Sequence, residues 1–373
     1  MASKLRLFTK RFFIYANWLV VALFLLSCLI PLLHPQYWWW VSFLGLMFPI
    51  LLVFVVAFFF GWLIILKFRL TLISLVALAI SYKSISVFIA FHPPANFIAK
   101  KEKTTLRVVS WNVARFIEQA RNKNKGSNLR LKMMQLLKEQ NADVLCLQEF
   151  FTSENPGLYD NIKTIREDLN FPYYYFSFDK DGDRNYYSTI IFSKFPIVDS
   201  GSIRYPRPAL PDVLLQADIL FNSDTVRVFA THLQSQRFNK YDYNRIEKIR
   251  ITEDSLLANS IPILSKLKWG IVQRSSQADL IADVMKNSPH PMIFAADMND
   301  VPNSYTYFTI KGNMQDAFLR KGSGLGHTFT GISPTLRIDY ILADDHFKVL
   351  QFKREKKDYS DHYMVVADLK PLR

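Results

Sequence analysis

The first 99 residues contain no aspartate or glutamate, and they hold three long apolar runs. The runs are Phe12–Leu33, Trp38–Leu66 and Leu70–Phe91. A helix needs about 20 apolar residues to cross a hydrocarbon layer about 30 Å thick. The first two runs reach that length without a charged side chain, whereas the third contains Ser81-Tyr82-Lys83-Ser84. Runs this long and numerous exclude a cleaved signal peptide, and they exclude one uniform soluble domain. The expectation is a membrane anchor over 1–99 with about three transmembrane helices, 12–33, 38–66 and 70–91.

Charge divides the chain at the same place. Residues 1–99 carry seven Lys/Arg, which leaves 39 Lys/Arg against all 32 Asp/Glu in 100–373, a net +7. Most of the chain therefore reads as water-soluble, which excludes a polytopic transporter. Basic residues flanking spans tend to stay in the cytoplasm. Lys4, Arg6, Lys10 and Arg11 precede the first run and Lys67 and Arg69 follow the second, while the connection between those runs has none. This puts the N-terminus in the cytoplasm and, after three spans, residue 100 onward outside. Lys100, Lys101, Lys103 and Arg107 pull the other way. The expected protein is integral to the cell's inner membrane, with an extracytoplasmic C-terminal domain.

That domain is expected over 106–373, after a polar linker at 100–105, and is long enough to bury a large core. Short β-branched and aromatic runs recur along it: Leu106–Trp111, Val144–Leu147, Tyr173–Phe178, Thr189–Phe192, Val226–Thr231, Met292–Ala295, Ile338–Leu342, Val349–Phe352 and Met364–Leu369. Helical patterns lie between some of them, as in the face made by Leu129, Met133, Leu136 and Leu137. The pattern predicts an α+β fold with sheets covered by helices. The two cysteines, Cys28 and Cys146, offer neither a disulfide framework nor a thiolate metal site.

The ends of these strands gather polar side chains: Asn112, Glu149, His232, Asp297 with Asn299, Asp339, and Asp361-His362. Carboxylates and amides without a thiolate make a hard, oxygen-rich set that suits Mg²⁺ or Mn²⁺ better than structural zinc. Two histidines beside carboxylates can move protons and contact phosphate. Together they fit attack of water on phosphorus, with metal and imidazolium offsetting the negative charge that develops. No phosphate-binding loop, nucleophile elbow or dinucleotide fingerprint competes. Singly, each residue has an ordinary explanation. Asn112 could sit in a turn, Glu149 could start a helix, and Asp297 with Asn299 could form an Asx turn. Asp339 could pair with Arg337 at the surface, and His232 could be a core histidine.

In order along the chain, S-W-N-V, L-Q-E, T-H-L-Q-S, D-M-N-D-V-P-N-S, R-I-D-Y-I-L and S-D-H-Y resemble the endonuclease/exonuclease/phosphatase superfamily over about 106–370. The resemblance implies a four-layer αββα sandwich, two packed β-sheets flanked by helices, and a metal-dependent hydrolase of phosphate esters. It implies Glu149 as principal metal ligand with Asn112 alongside, and Asp361 serving the metal or a second-metal position. Asp297 would orient or deprotonate water, Asn299 would hold the phosphate, and His362 would contact the phosphoryl oxygen, oriented by Asp339. His232 would be the other catalytic histidine. Three departures stand out. No carboxylate adjoins the strand near Arg184–Thr189 to partner His232, Ala296 replaces the usual glycine before D-x-N, and the signatures of the inositol 5-phosphatases are missing.

The expected activity is a membrane-anchored phosphodiesterase, nuclease-like or sphingomyelinase-like, acting on nucleic acid or a phospholipid headgroup. A phosphomonoesterase on the same site and a catalytically silent tethered binding module are the alternatives. No obligate protein partner is evident. Arg237, Lys240, Arg245, Lys248 and Arg250 cluster with Tyr241 and Tyr243. That cluster fits a solvated helix face, a nucleic-acid contact or an anionic bilayer surface.

Overall fold

The computed structural model describes residues 2–93, 96–121, 128–206, 213–251, 256–331, 333 and 335–372, with side chains from residue 6 onward except at 248–251 and 256–258. The side chains of Lys4, Lys248 and Arg250 thus lie outside the described residues.

Two six-stranded sheets form the centre of the C-terminal part. One runs, edge to edge, Phe347–Glu355, Met364–Pro371, Leu106–Asn112, Val144–Ser153, Asn185–Ser193, Tyr173–Phe176. The other runs Gln315–Asp316, Asp339–Ala343, Met292–Asp297, Asp224–His232, Val213–Phe221, Ile197–Arg204. Each contains one parallel pair, Leu106–Asn112 with Val144–Ser153 and Asp224–His232 with Met292–Asp297. The remaining pairings are antiparallel.

Strand residues alternate between two faces, and the alternation builds the layers. Val108, Val144, Cys146 and Ile191 of the first sheet meet Leu215, Val228, Ala230, Ile293 and Ala295 of the second in one buried core. Val109, Trp111, Leu145 and Leu147 point the other way, onto the helices Leu129–Glu139 and Asn161–Asp168. Phe229, Phe294 and Ala296 likewise face Ala278, Ile281 and Met285 of the Leu256–Lys286 helix and Tyr307 and Ile310 of Tyr305–Lys311. The result is helix, sheet, sheet, helix, as expected.

Ahead of it, Ala2–Ser27 and Pro35–Ile64 form helices long and apolar enough to cross a membrane. The third apolar run is two helices, Phe68–Ile80 and Tyr82–Phe88, bent by 64°. The chain then turns extended, and Ala90–Phe91 pairs with Ser323–Gly324 of the sandwich. The apolar helices dock on the domain through specific contacts. Asn303 Nδ2 donates to the Ser27 carbonyl (3.0 Å) and His34 Nε2 lies 2.9 Å from Asp279. Arg337 Nη2 donates to the Val87 carbonyl (2.8 Å). Gly45 packs so closely that a Cβ there would lie 2.6 Å from the Asn303 carbonyl oxygen. The sandwich therefore sits at the 27–35 end of the first two helices.

Candidate active site

Strand register brings three of the expected residues side by side. His232 pairs with Asp297 across the parallel strands, and Asp297 with Asp339 across the antiparallel ones. The neighbouring sheet delivers Asn112 opposite Gln148. Glu149 does not end its strand, as the sequence suggested. The strand continues to Ser153, and its register breaks between Leu147 and Phe150. Glu149 sits in that bulge at φ 50°, a left-handed conformation that costs a non-glycine residue energy and turns its carboxylate out of the buried core.

Asp297 is fully buried at the centre. Its Oδ2 accepts from Asn112 Nδ2 (3.1 Å) and lies 3.6 Å from both His232 Nε2 and His362 Nε2. Its Oδ1 accepts from the Asn299 backbone N–H (2.9 Å). This is the Asx turn that the ordinary reading offered, so the turn and the site coexist. Asn112 also donates to Glu149 Oε1 (3.2 Å), while its own oxygen accepts from the Ala114 N–H (3.0 Å). Asn299 Nδ2 approaches His232 Nε2 (2.9 Å) and donates to the Leu233 carbonyl (2.9 Å).

His362 Nδ1 lies 3.0 and 3.2 Å from the two oxygens of Asp339, and both residues are buried. Burial alone would lower the His362 pKa, but Asp339 and Asp297 override it and push it up to about 10. The two carboxylates thus favour the charged form of the ring, whose Nε2 faces Asp297. Asp339 is thus no surface partner of Arg337, which is itself buried and bonds Asp316 (2.6 Å). Asp361 is exposed, and its carbonyl accepts from Thr330 (2.9 Å). Ser360 ties this turn to the neighbouring strand of its own sheet by donating to the Asn112 carbonyl (2.8 Å).

Glu149, His232, Asp297, Asn299, Asp361 and His362 line a single cavity of about 470 Å³. Asn112 and Asp339 stand behind that wall and hold the residues that form it. Sequence reasoning missed three groups. Thr328 Oγ1 accepts from the Ile338 and Asp339 N–H groups (3.0 and 3.1 Å) and fixes the strand that carries Asp339. Tyr340 donates to the carbonyls of Asp300 (2.9 Å) and Arg337 (2.6 Å), bracing the D-M-N-D loop. Pro35, Ser42 and Leu46 of the second apolar helix line the cavity. Nothing in the second apolar run or the turn before it marks those last three.

The donors suit a hard divalent cation. Glu149 keeps 29% of its side chain exposed, Asp361 is free to solvent on the same cavity, and no thiolate is present there. The Asn112 oxygen retains a second lone pair beside the one given to Ala114. A second group, Asp297, Asp339 and His362, also brings ligating atoms within 4.8 Å of one another. In this group the His362 ring meets Asp339 through Nδ1, which leaves Nε2 as the ring nitrogen facing Asp297.

The sequence profile described as "Endonuclease/Exonuclease/phosphatase family" matches residues 109–362. The chain belongs to the endonuclease/exonuclease/phosphatase family. Its members are phosphoester hydrolases, and they generally use divalent metals. A second profile, a domain of unknown function (DUF8431), matches residues 10–88. No curated relative matches in sequence. Among solved structures, an endonuclease/exonuclease/phosphatase from Beutenbergia cavernae shares the fold, with 20% identity, 72% of each chain covered and a TM-score of 0.52. The human Nocturnin catalytic domain with bound sulfate is similar at 16% identity over 73% of this chain and 97% of its own, TM-score 0.48. D. rerio TDP2 complexed with a single-strand DNA product is similar at 17% identity over 71% and 98%, TM-score 0.47.

Proposed function

We propose that this family member is a membrane-anchored, divalent-metal-dependent phosphodiesterase. The observation that carries the reading is the convergence of a buried imidazolium, a buried carboxylate and a solvent-facing carboxylate on one cavity. Glu149, with Asn112 and Asp361, would hold Mg²⁺ or Mn²⁺. When bound, the cation offsets charge on the phosphoryl oxygens and makes water more acidic.

The chain's own residues supply the rest. Asp297, fixed by Asn112 and the Asn299 N–H, takes a proton from the attacking water. The water oxygen bonds to phosphorus, and the ester P–O bond on the opposite side breaks. His362, charged and oriented by Asp339, donates Nε2–H to a phosphoryl oxygen as negative charge builds there. His232 faces the same oxygen cluster; once the phosphate draws the Asn299 amide away from Nε2, that nitrogen can carry the proton assigned to the leaving oxygen. Asn299 orients His232 in the resting site and would hold the phosphate in the complex.

The docking contacts support an extracytoplasmic domain. They place the sandwich beside the 27–35 turn, opposite the basic residues that flank the far ends of the helices.

The test is hydrolysis of bis-p-nitrophenyl phosphate by the full chain in amphipol, with and without Mg²⁺. Wild-type activity that requires Mg²⁺ and that Glu149→Gln abolishes is the expected result. A folded Glu149→Gln variant that keeps its activity removes Glu149 as a ligand. A wild-type chain that binds Mg²⁺ yet cuts no diester overturns the phosphodiesterase reading.

A further inference from the structure

The catalytic cavity has a second, apolar end. Beyond the polar residues its wall is Leu46 of the helix Pro35–Ile64, Ile246 of Lys240–Ile251, and Ile263, Leu267 and Ile271 of Leu256–Lys286. Ser42 and Leu46 stand one turn apart on the same helical face. A helix long enough to cross a membrane therefore contributes a wall to the cavity that holds His362 and Asp297. Gly45, next to Leu46, fixes the approach, since its lack of a side chain lets the helix meet the Asn303 carbonyl. The surroundings continue the apolar character. Ile261 and Leu264 are exposed near the start of the Leu256–Lys286 helix, as are Trp38 and Trp40 near the start of the membrane-length helix. Indole side chains favour the membrane interface.

A single-stranded nucleic acid calls for a basic groove with stacking aromatics. Aliphatic side chains predominate in the cavity instead, and its aromatic rings pack on protein neighbours, Phe238 on Tyr243, Tyr305 on His34 and Phe329 on His362. Its basic neighbours are engaged elsewhere: Arg274 bonds Asp300 and the Gln234 carbonyl, and Arg237 stacks on Trp269.

We infer that the substrate is a membrane-lipid phosphodiester, its phosphate at the Glu149–His362 end and its hydrocarbon along Leu46, Ile263, Leu267 and Ile271. The inference rests on the hydrolase reading above and gives that site its substrate class. Water adds to phosphorus, the ester P–O bond breaks, and the leaving alkoxide takes a proton, giving an alcohol and a phosphomonoester. The membrane-length helix then acts in specificity: it excludes polar chains and guides an acyl or alkyl chain from the bilayer to the site.

A homologous series of p-nitrophenyl alkyl phosphates, from methyl to dodecyl, tests this with the full chain in amphipol and Mg²⁺. Each methylene taken from water into an apolar wall is worth about fourfold in affinity. The ratio kcat/KM should therefore rise at least about a hundredfold from methyl to octyl, mostly through KM. Leu46→Trp and Leu267→Trp, each filling the apolar end, should cut octyl turnover at least tenfold while leaving the methyl ester within about twofold, which a merely structural defect would not do. A flat series, or equal losses on both esters, overturns the lipid inference while methyl-ester hydrolysis still upholds the phosphodiesterase reading. No hydrolysis of any ester overturns both. A second measurement does not depend on turnover or on the variants. A dodecyl methyl phosphate bearing a terminal diazirine, photolysed with the wild-type chain in EDTA, should label 42–46 or 263–271. Labelling confined to other surfaces of the helices overturns the inference.

Discussion

Asp339→Asn is the substitution that most directly interrogates the imidazolium. The carboxylate lies 3.0 Å from His362 Nδ1, and both groups are buried. At an effective dielectric of about 20, opposite unit charges at that distance attract by about 5 kcal/mol. An asparagine fills the same space, and its amide oxygen can still accept from Nδ1–H, so part of the interaction survives. The loss in transition-state stabilisation is then about 3–5 kcal/mol, which lowers kcat about 10²–10⁴-fold. Binding of Mn²⁺, followed by electron paramagnetic resonance, should change little, because Asp339 stands behind the cavity wall and outside the assigned ligand set. The assay is bis-p-nitrophenyl phosphate hydrolysis by the full chain, with circular dichroism to establish that the variant is folded. A drop of less than about fivefold in a folded variant would falsify the role given to the His362–Asp339 pair. A large drop accompanied by lost Mn²⁺ binding would instead put Asp339 in the metal site.

Other contacts make separate predictions. Arg337→Met strips the partner from the buried carboxylate of Asp316; broken buried pairs cost about 3–5 kcal/mol, and the Tyr307 hydroxyl and two N–H groups that remain on Asp316 favour the lower figure. Chemical unfolding should register that loss, and a change below about 1 kcal/mol would mean the pair is worth no more than a surface one. Gly45→Ala forces a methyl to within 2.6 Å of the Asn303 carbonyl, and overpacking of this kind costs about 1–3 kcal/mol. An unperturbed thermal melt of that variant would show that helix and domain do not pack through Gly45. Ser323→Cys, exposed on the domain, should react with an impermeant maleimide in intact cells when Cys28 is replaced by serine. Protection until lysis would put the domain on the cytoplasmic side.

The residues that converge on the cavity could be picked out along the chain because they sit at strand ends, where polar residues interrupt β-branched runs. His232, Asp297 and Asp339 are adjacent in register, yet each ends or opens its own apolar stretch. The strand Ile197–Arg204 escaped notice for the opposite reason. It is an edge strand with exposed Asp199 and Ser200, so no buried face imposed a pattern. Its partner Val213–Phe221 follows a proline-rich stretch that masked its start. The bulge at Glu149 was hidden because L-Q-E-F-F continues a strand-forming composition, and only the pairing break at Leu147/Phe150 exposes the carboxylate. Arg337 read as an exposed ion-pair partner because a sequence does not show that Tyr307, Phe318 and Tyr340 enclose it. The bend between Ile80 and Tyr82 was not read from the sequence, which showed only a polar Ser81-Tyr82-Lys83-Ser84 inside the third run; the structure places the Lys83 ammonium 5.4 Å from the centre of the Phe308 ring of the sandwich.

The docking of the apolar helices bears on how such an enzyme is to be prepared. Cutting the chain at the linker to obtain a soluble fragment would leave the Arg337 guanidinium without the Val87 carbonyl and the Asn303 amide without the Ser27 carbonyl. It would also take away the Ser42–Leu46 side of the cavity. A truncated protein of this kind would have a trough where the intact one has a cavity walled on that side by the helix. Its preferences among small chromogenic esters would describe the trough, and inhibitors chosen against it would be fitted to a shape the cell never contains.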